Sequence, residues 1–185
     1  VRRVGSEMVI RDSFFSGNHE KSINLIQSLI DMYPSNPYYH EFLGEIYFFQ
    51  GDHTKAIKKQ KTAMSILSKD SDLHLMMLGT YLLAESSDKS IIESIKVLNK
   101  SLFLNKYNSY SWYLLAKAYA LSDNLPLAQY ASAERYYLNG DRPLALEFAK
   151  KAIKNIDKNT VEWYRTNDLI ELILGIDEKD NKNRS

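Results

Sequence analysis

Apolar side chains recur along the chain at the spacing of helices that bury one face, and short polar segments separate these stretches. Three of the polar segments contain a glycine beside Asn or Asp, at Gly17, Gly51 and Gly140, which is typical of turns between helices. Asn36 and Asn108 precede other stretches and supply N-cap side chains. The pattern predicts about ten helices arranged in antiparallel pairs.

The same residue types return at fixed intervals, which indicates an internal repeat. The segment that starts at His40 contains Leu43-Gly44-x-x-Tyr47, the central part of the tetratricopeptide (TPR) pattern of about 34 residues. The equivalent slots, 34 and then a further 38 positions along, hold His74, Met77, Leu78 and Tyr81, and then Trp112, Leu115, Ala116 and Tyr119. The sequence therefore predicts an all-α fold, a TPR-like α-solenoid of stacked antiparallel helix pairs with a right-handed superhelix.

The repeats set the expected domain organisation. One TPR-like repeat domain is predicted over residues 1–176, followed by a flexible polar tail at 177–185. The predicted repeats cover 3–36, 37–70, 71–108, 109–139 and 140–157, with a terminal helix at 160–175. The third repeat is longer because of a polar stretch at 85–89, where an insertion leaves the packed faces intact.

Small side chains stand where the two helices of a pair must approach each other. These residues are Gly44, Ala56, Ala63, Ala116, Ala128 and Ala152. Because each helix pair exposes an apolar face that it cannot bury alone, neighbouring repeats stabilise one another. Aromatic residues at the recurring slots, such as Trp112, are expected to fill the space between pairs.

Composition excludes several classes of function. The chain has 185 residues, 44% of them hydrophobic, no cysteine and a formal net charge of +1. Disulfides and thiolate catalysis are excluded, and the near-zero charge gives no general attraction to nucleic acid. The basic run Lys55, Lys58, Lys59 and Lys61 lacks interleaved aromatic residues, so it is interpreted as a solvated outer helix face. No apolar run is long enough to span a bilayer, and the start at Val1 without Met indicates a processed product or an excised domain.

Four longer sequence segments are more specific than the general TPR pattern. They are GNHEKS at 17–22, YPSNPYYHE at 33–41, YLNGD at 137–141 and EWYRTNDL at 162–169. Together they resemble the C-terminal TPR region of bacterial HExxH zinc metalloproteases related to the β-barrel assembly-enhancing protease. The resemblance implies a periplasmic location, with repeats that contact an upstream protease domain, substrates or outer-membrane assembly factors. The catalytic residues of that family have no counterpart in this chain.

The chain contains no recognisable catalytic or cofactor motif. A zincin helix needs two imidazoles one turn apart, but the segment His40–Leu43 is followed by Gly44. His40 stands in the slot that Trp112 occupies in a later repeat, which favours packing over metal ligation. Glu41 and Glu45 lie one helical turn apart and are interpreted as polar residues of a groove rather than an acid–base pair. We therefore predict a chain that is not an enzyme and holds no metal or cofactor.

A binding surface is predicted on the first helices of the repeats, which line the concave side of TPR folds. The side chains that point away from the packing slots are unusually aromatic, and such side chains give large contact areas at low entropic cost. The predicted protein- or peptide-binding residues are Tyr38, Glu41, Glu45, Phe48, Phe49, Leu75, Leu82, Tyr110, Tyr113, Lys117, Tyr130, Glu134 and Tyr137. In the alternative interpretation, some of these aromatic residues are buried against neighbouring repeats or form a homodimer surface.

Functions of different kinds remain open. The first is a non-catalytic scaffold that forms the C-terminal substrate- or partner-binding domain of a periplasmic zinc metalloprotease. The second is a free-standing cytosolic TPR adaptor without a protease domain, and the third is an enzyme with an unrecognised site. The Lys/Asn clamp of chaperone-binding TPR domains is not expected, because the matching positions hold Glu41, Glu45, Leu75 and Gly79.

Overall fold

The computed structural model describes the backbone of residues 2–182 and the side-chain environments of residues 8–176. Within this range the regular elements are ten α-helices and no strand, which confirms the predicted all-α, TPR-like fold. The helices are α1 (Arg2–Phe15), α2 (His19–Met32), α3 (Pro37–Phe49), α4 (His53–Ile66), α5 (Asp72–Glu85), α6 (Asp88–Leu104), α7 (Ser109–Leu121), α8 (Leu125–Leu138), α9 (Arg142–Ala152) and α10 (Val161–Lys182). The segment predicted as a flexible tail, 177–185, coincides with α10 as far as Lys182, and its last three residues lie outside the described range.

Side-chain caps define where the helices begin. Each helix from α2 to α9 starts after a side chain that accepts a hydrogen bond from a backbone N–H of the first turn, which satisfies one of the donors left free at a helix start. The capping residues are Asn18, Asn36, Asp52, Ser71, Ser87, Asn108, Asn124 and Asp141. The turns before several of them need a left-handed residue, and Gly17, Gly51 and Gly140 supply it with φ of 80–83°.

The helices divide into two compact units, Val1–Ser86 and Ser87–Ser185, and the division falls inside the range 71–108 predicted as one repeat. In the first unit, α1 to α5 pack so that each helix contacts the next. One core cluster of this unit is formed by α1, α2 and α3, where Ile10, Ile26 and Leu43 are almost completely buried. Gly44 lies at the contact between α3 and α4, and a Cβ atom there would be 3.3 Å from the carbonyl oxygen of Ala56. The predicted role of small residues at this crossing is confirmed by that distance.

In the second unit, α6 to α9 pack in sequence and α10 packs against both α9 and α8. The close contact between α8 and α9 depends on small side chains, since Ala133, Ala145 and Ala149 are fully buried and lie beside Ile173 of α10. No helix among the described residues has the length and apolar character required to cross a lipid bilayer.

Candidate functional site

One group of predicted binding residues lies on α3 in the unit Val1–Ser86. We call it the α3 surface, and it consists of Tyr38, Glu41, Glu45, Phe48 and Phe49. Tyr38, Glu41 and Glu45 follow one another at intervals of three and four residues, and Phe48 and Phe49 come three and four residues after Glu45, which places all five along one side of the helix. Tyr38 and Phe49 are 38% and 61% exposed, whereas the other three side chains are half-buried.

Side chains of α1 contact the α3 surface. The Arg11 guanidinium donates a hydrogen bond of 3.0 Å to the Tyr38 hydroxyl. The ring of Phe14 lies 5.4 Å from that of Phe49 in an edge arrangement. Both ends of the α3 surface are therefore fixed by α1, and the aromatic rings are held in defined orientations before any ligand binds.

The two carboxylates of the α3 surface have different surroundings. Burial raises the pKa of Glu45, an effect that nearby Arg11 opposes and Glu41 reinforces. Glu41 instead lies with a carboxylate oxygen 3.4 Å from the ring nitrogen Nε2 of His74 on α5. Beside them, the ring of Phe48 stacks on Tyr81 at 4.7 Å between centroids. The acidic side chains are thus part of the contact between α3 and α5.

Three predicted surface residues are buried, so their placement on an exposed wall was wrong. Leu75 and Leu82 of α5 are 3% and 1% exposed, and Tyr130 of α8 is 3% exposed. For Tyr130 the reason is that α8 contacts α7, α9 and α10, so a position that points away from the predicted packing slot still meets another helix. The Tyr130 hydroxyl bonds the Arg165 side chain of α10.

A ladder of rings and cations crosses three helices in the unit Ser87–Ser185. On α7, Tyr110 lies 5.7 Å from Tyr113, whose ring is 4.7 Å from the guanidinium carbon of Arg135 on α8. Arg135 is also 5.4 Å from the ring of Tyr136, which stacks on Phe148 of α9 at 5.3 Å. Stacked aromatic and cation–π contacts of this kind fix side chains that would otherwise be mobile. Tyr110 and Tyr113 remain 49% and 40% exposed.

Beside this ladder, α7 and α8 enclose a groove of about 290 Å³, which we call the α7–α8 groove. It is lined by Tyr113, Ala116, Lys117, Ala120, Leu125, Ala128, Gln129, Ser132, Arg135 and Phe148. Two predicted residues, Tyr113 and Lys117, therefore lie in one concave site. Arg135 and Phe148 were not among the predicted binding residues, although a basic residue next to Glu134 on an aromatic-rich helix is visible in the sequence.

A second cavity, of about 440 Å³, lies where α10 meets α7 and α8. The predicted residues Glu134 and Tyr137 line this cavity together with Lys106 and Arg165, and not the α7–α8 groove. Adjacent residues on a helix point about 100° apart, so Glu134 and Arg135 face different sites. Burial raises the pKa of Glu134, while Arg165 and Lys106 act in the opposite direction.

The recurring aromatic slot has a structural role. The Nε2 atom of His40 is 2.9 Å from the carbonyl oxygen of Pro34, and the Nε1 atom of Trp112 is 2.9 Å from that of Lys106. Each ring nitrogen thus bonds the carbonyl six residues earlier, which fastens the preceding turn to the helix. Among the residues whose side chains are described, no group of three or more His, Asp or Glu side chains is arranged to hold a metal ion.

The packing of the helix pairs defines a TPR-type helical-repeat fold, and solved structures share it. MamA superposes with a TM-score of 0.65 at 17% identity, covering 94% of this chain and 97% of its own. TTC0263, a TPR protein of Thermus thermophilus, gives a TM-score of 0.53 at 16% identity, with 90% and 97% coverage. YrrB, described as a TPR protein with an unusual peptide-binding site, gives 0.54 at 15% identity, with 86% and 88% coverage. No protein-family model matches the sequence.

Among individual proteins, the chain is similar to the β-barrel assembly-enhancing proteases of Escherichia coli K12 and Shigella flexneri. It is 25% identical to each of them over 164 residues, which is 89% of this chain and 33% of the relative. The resemblance inferred from the motifs is confirmed at this level. The chain spans about a third of the length of these relatives.

Proposed function

We propose that the chain is a non-catalytic scaffold that binds a protein or peptide through the exposed aromatic residues of the α3 surface and the α7–α8 groove. The ladder around Tyr113 is the observation that carries this proposal. Clusters of exposed, orientationally fixed aromatic side chains are enriched at binding sites because they bury large areas with little loss of entropy. A solved structure of the same fold, YrrB, is described as having a peptide-binding site.

We further propose that the scaffold is the C-terminal, partner-binding part of a periplasmic zinc metalloprotease. The similarity to the β-barrel assembly-enhancing protease over 89% of this chain supports that assignment. In such a protein, the repeats contact the protease domain, its substrates or factors that assemble outer-membrane proteins. The zinc and the HExxH motif would belong to a part of the protein that this chain does not contain.

The binding role is tested by capture on the immobilised chain. Extract from the periplasm is passed over the wild-type chain and over the Tyr113→Ala and Phe49→Ala variants, and bound proteins are identified and quantified. We expect the wild type to retain a defined set of proteins and each variant to lose part of it. Phe103→Ala is the matched control, because Phe103 is 87% exposed and lies on α6 outside both surfaces. Capture that does not change in either surface variant contradicts the proposed binding sites.

The alternative is a free-standing cytosolic adaptor, and one observation favours it. MamA and TTC0263 are matched over 97% of their own lengths, so chains of this size occur as whole solved TPR structures. The codons upstream of Val1 distinguish the two functions. An in-frame HExxH motif there supports the protease domain assignment, and a start codon directly upstream supports the adaptor. Stoichiometric zinc in the purified chain, lost on changing His40, would contradict both.

A further inference from the structure

We propose that the α7–α8 groove binds an internal acidic segment of the partner polypeptide, with a carboxylate side chain between Lys117 and Arg135. This inference rests on the proposed function and adds the chemistry of the ligand. It differs from the capture of a chain terminus, because the segment continues beyond the groove at both ends.

The charges of the groove are of one sign. Among the described residues that line it are Lys117 and Arg135 and no Asp or Glu. The neighbouring cavity, by contrast, has Lys106 and Arg165 together with Glu134 and Asp168, so its charges are balanced. An anionic ligand is therefore favoured by the α7–α8 groove and not by the cavity.

Arg135 is pre-oriented for such a ligand. Its guanidinium carbon lies 4.7 and 5.4 Å from the centroids of the Tyr113 and Tyr136 rings, so cation–π contacts from two rings hold the group. A cation–π contact uses the charge of a guanidinium rather than its N–H donors, and those donors match the geometry of a carboxylate. Because the rings already restrict this side chain, less entropy is lost when it binds.

Small side chains of the groove allow the backbone of a bound peptide to approach the helices closely. They are Ala116, Ala120, Ala128 and Ser132. The distance along α7 from Tyr113 to Ala120 is about 10 Å for seven helical residues. An extended peptide advances about 3.3 Å per residue, so the groove seats roughly three residues.

Apolar side chains lie at both ends of the groove. Tyr110, 49% exposed, extends the aromatic ladder beyond Tyr113 at one end. Leu125, 61% exposed, lies at the other end, where α8 begins. Apolar contacts on both sides of the charged section fit a chain that runs through the site, with aliphatic residues flanking the acidic one.

Three synthetic peptides of about seven residues test the inference by fluorescence anisotropy with the complete chain. The first has a central Glu flanked by Leu and is blocked at both ends. The second has Gln in place of Glu, and the third is the Gln peptide with a free C-terminal carboxylate. We expect the Glu peptide to bind at least about tenfold more tightly than either Gln peptide, with affinity falling as salt increases.

Protein variants locate the site. Lys117→Gln and Arg135→Gln are each expected to remove most of the preference for Glu over Gln, whereas Lys96→Gln, an exposed lysine on α6, leaves it unchanged. Ala120→Phe fills the floor at an exposed position and is expected to weaken binding of all three peptides. This variant tests the location without changing a charge.

Several outcomes overturn the inference. They are equal binding of the Glu and Gln peptides, a preference that survives both charge variants, tightest binding by the peptide with a free terminus, or no binding of any peptide at about 1 mM. The proposed function fails separately, when capture of partner proteins is insensitive to Tyr113→Ala. If Tyr113→Ala reduces capture of partner proteins but none of the peptides binds, the scaffold function remains supported. Only the inference that the ligand is an acidic segment is then contradicted.

Discussion

At the scale of the residue, His40 and Trp112 occupy equivalent positions of two repeats and make the same kind of hydrogen bond. His40 and Trp112 each hold a carbonyl oxygen at 2.9 Å, six residues before the ring. A carbonyl oxygen only accepts hydrogen bonds, so the Nε2 atom of His40 carries the hydrogen. Both side chains are buried, at 6% and 3% exposure. In these two repeats the position holds a flat side chain with an N–H donor, whereas the Nε2 atom of His74 in the equivalent slot lies near the Glu41 carboxylate.

The Trp112→Ala variant is expected to unfold at lower denaturant concentration. Trp112 packs edge-on against Tyr130 at 5.5 Å, and removing the indole leaves a cavity and an unpaired carbonyl. We expect a loss of about 3–5 kcal/mol in the free energy of unfolding, measured by urea titration. Trp112→Phe, which keeps most of the ring but not the N–H, should lose less. Phe103→Ala, at an exposed position, should change stability by less than about 0.5 kcal/mol. An effect of similar size at Phe103 and Trp112 would contradict the assignment of Trp112 to the core.

A pH dependence follows from Glu134. Burial raises its pKa in the folded chain above the ordinary value of 4.5, so the folded state favours the protonated carboxyl. The contribution to stability is fully present below the ordinary pKa and is lost as pH rises through the folded pKa. Glu134→Gln cannot ionise, so its stability relative to wild type should increase between about pH 4 and pH 7. Urea titrations at the two pH values measure the change, and Glu171→Gln on the exposed side of α10 controls for removal of one charge. A constant difference between Glu134→Gln and wild type would show that ionisation of Glu134 is not linked to folding.

At the scale of the element, the helices follow from local sequence signals. Asn108 illustrates why, since its side chain accepts hydrogen bonds from the backbone N–H groups of Tyr110 and Ser111 at 3.1 Å and starts α7. Such caps, the Gly turns and the repeated aromatic slots are all visible in the sequence, so the number of helices was predictable. It was harder to predict from the sequence which side chains remain exposed. The burial of Tyr130 and the division of Glu134 and Arg135 between two sites depend on the packing of α10 against α8. Repeat register does not contain that information.

Two glycines provide a matched test of helix packing. Gly44 faces the Ala56 carbonyl, whereas a Cβ at Gly175 of α10 would meet nothing within 4 Å. Ala at position 175 should therefore stabilise the chain by about 0.5–1 kcal/mol, the usual difference in helix propensity. Leu at position 44 should destabilise it by about 1–3 kcal/mol or more, because α3 and α4 must separate. Thermal unfolding followed by circular dichroism compares Gly44→Leu with Gly175→Ala. Equal stability of the two variants would contradict close packing of α3 on α4.

At the scale of the whole molecule, each compact unit contains its own buried residues. Ile10, Ile26 and Leu43 lie in the core of Val1–Ser86, and Ala133, Ala145 and Ile173 in that of Ser87–Ser185. In repeat proteins, stability is approximately the sum of terms within repeats and between direct neighbours. A unit with a complete set of neighbours is therefore expected to fold without the other.

The fragment Ser87–Ser185 should consequently be helical, unfold cooperatively and bind the Glu peptide with the affinity of the complete chain. The physical reason is that the α7–α8 groove, the ladder and the helices that support them all lie in this unit. Circular dichroism and fluorescence anisotropy measure the two properties. A shorter fragment, 87–140, lacks α9 and α10, so Phe148 is lost and the buried face of α8 around Ala133 becomes exposed. We expect this control to be destabilised and to bind poorly, because the residues that orient Arg135 and Tyr136 lose their support. If the longer fragment folds but does not bind while the complete chain does, residues of Val1–Ser86 must contribute to the ligand site, and the α7–α8 groove alone does not define it.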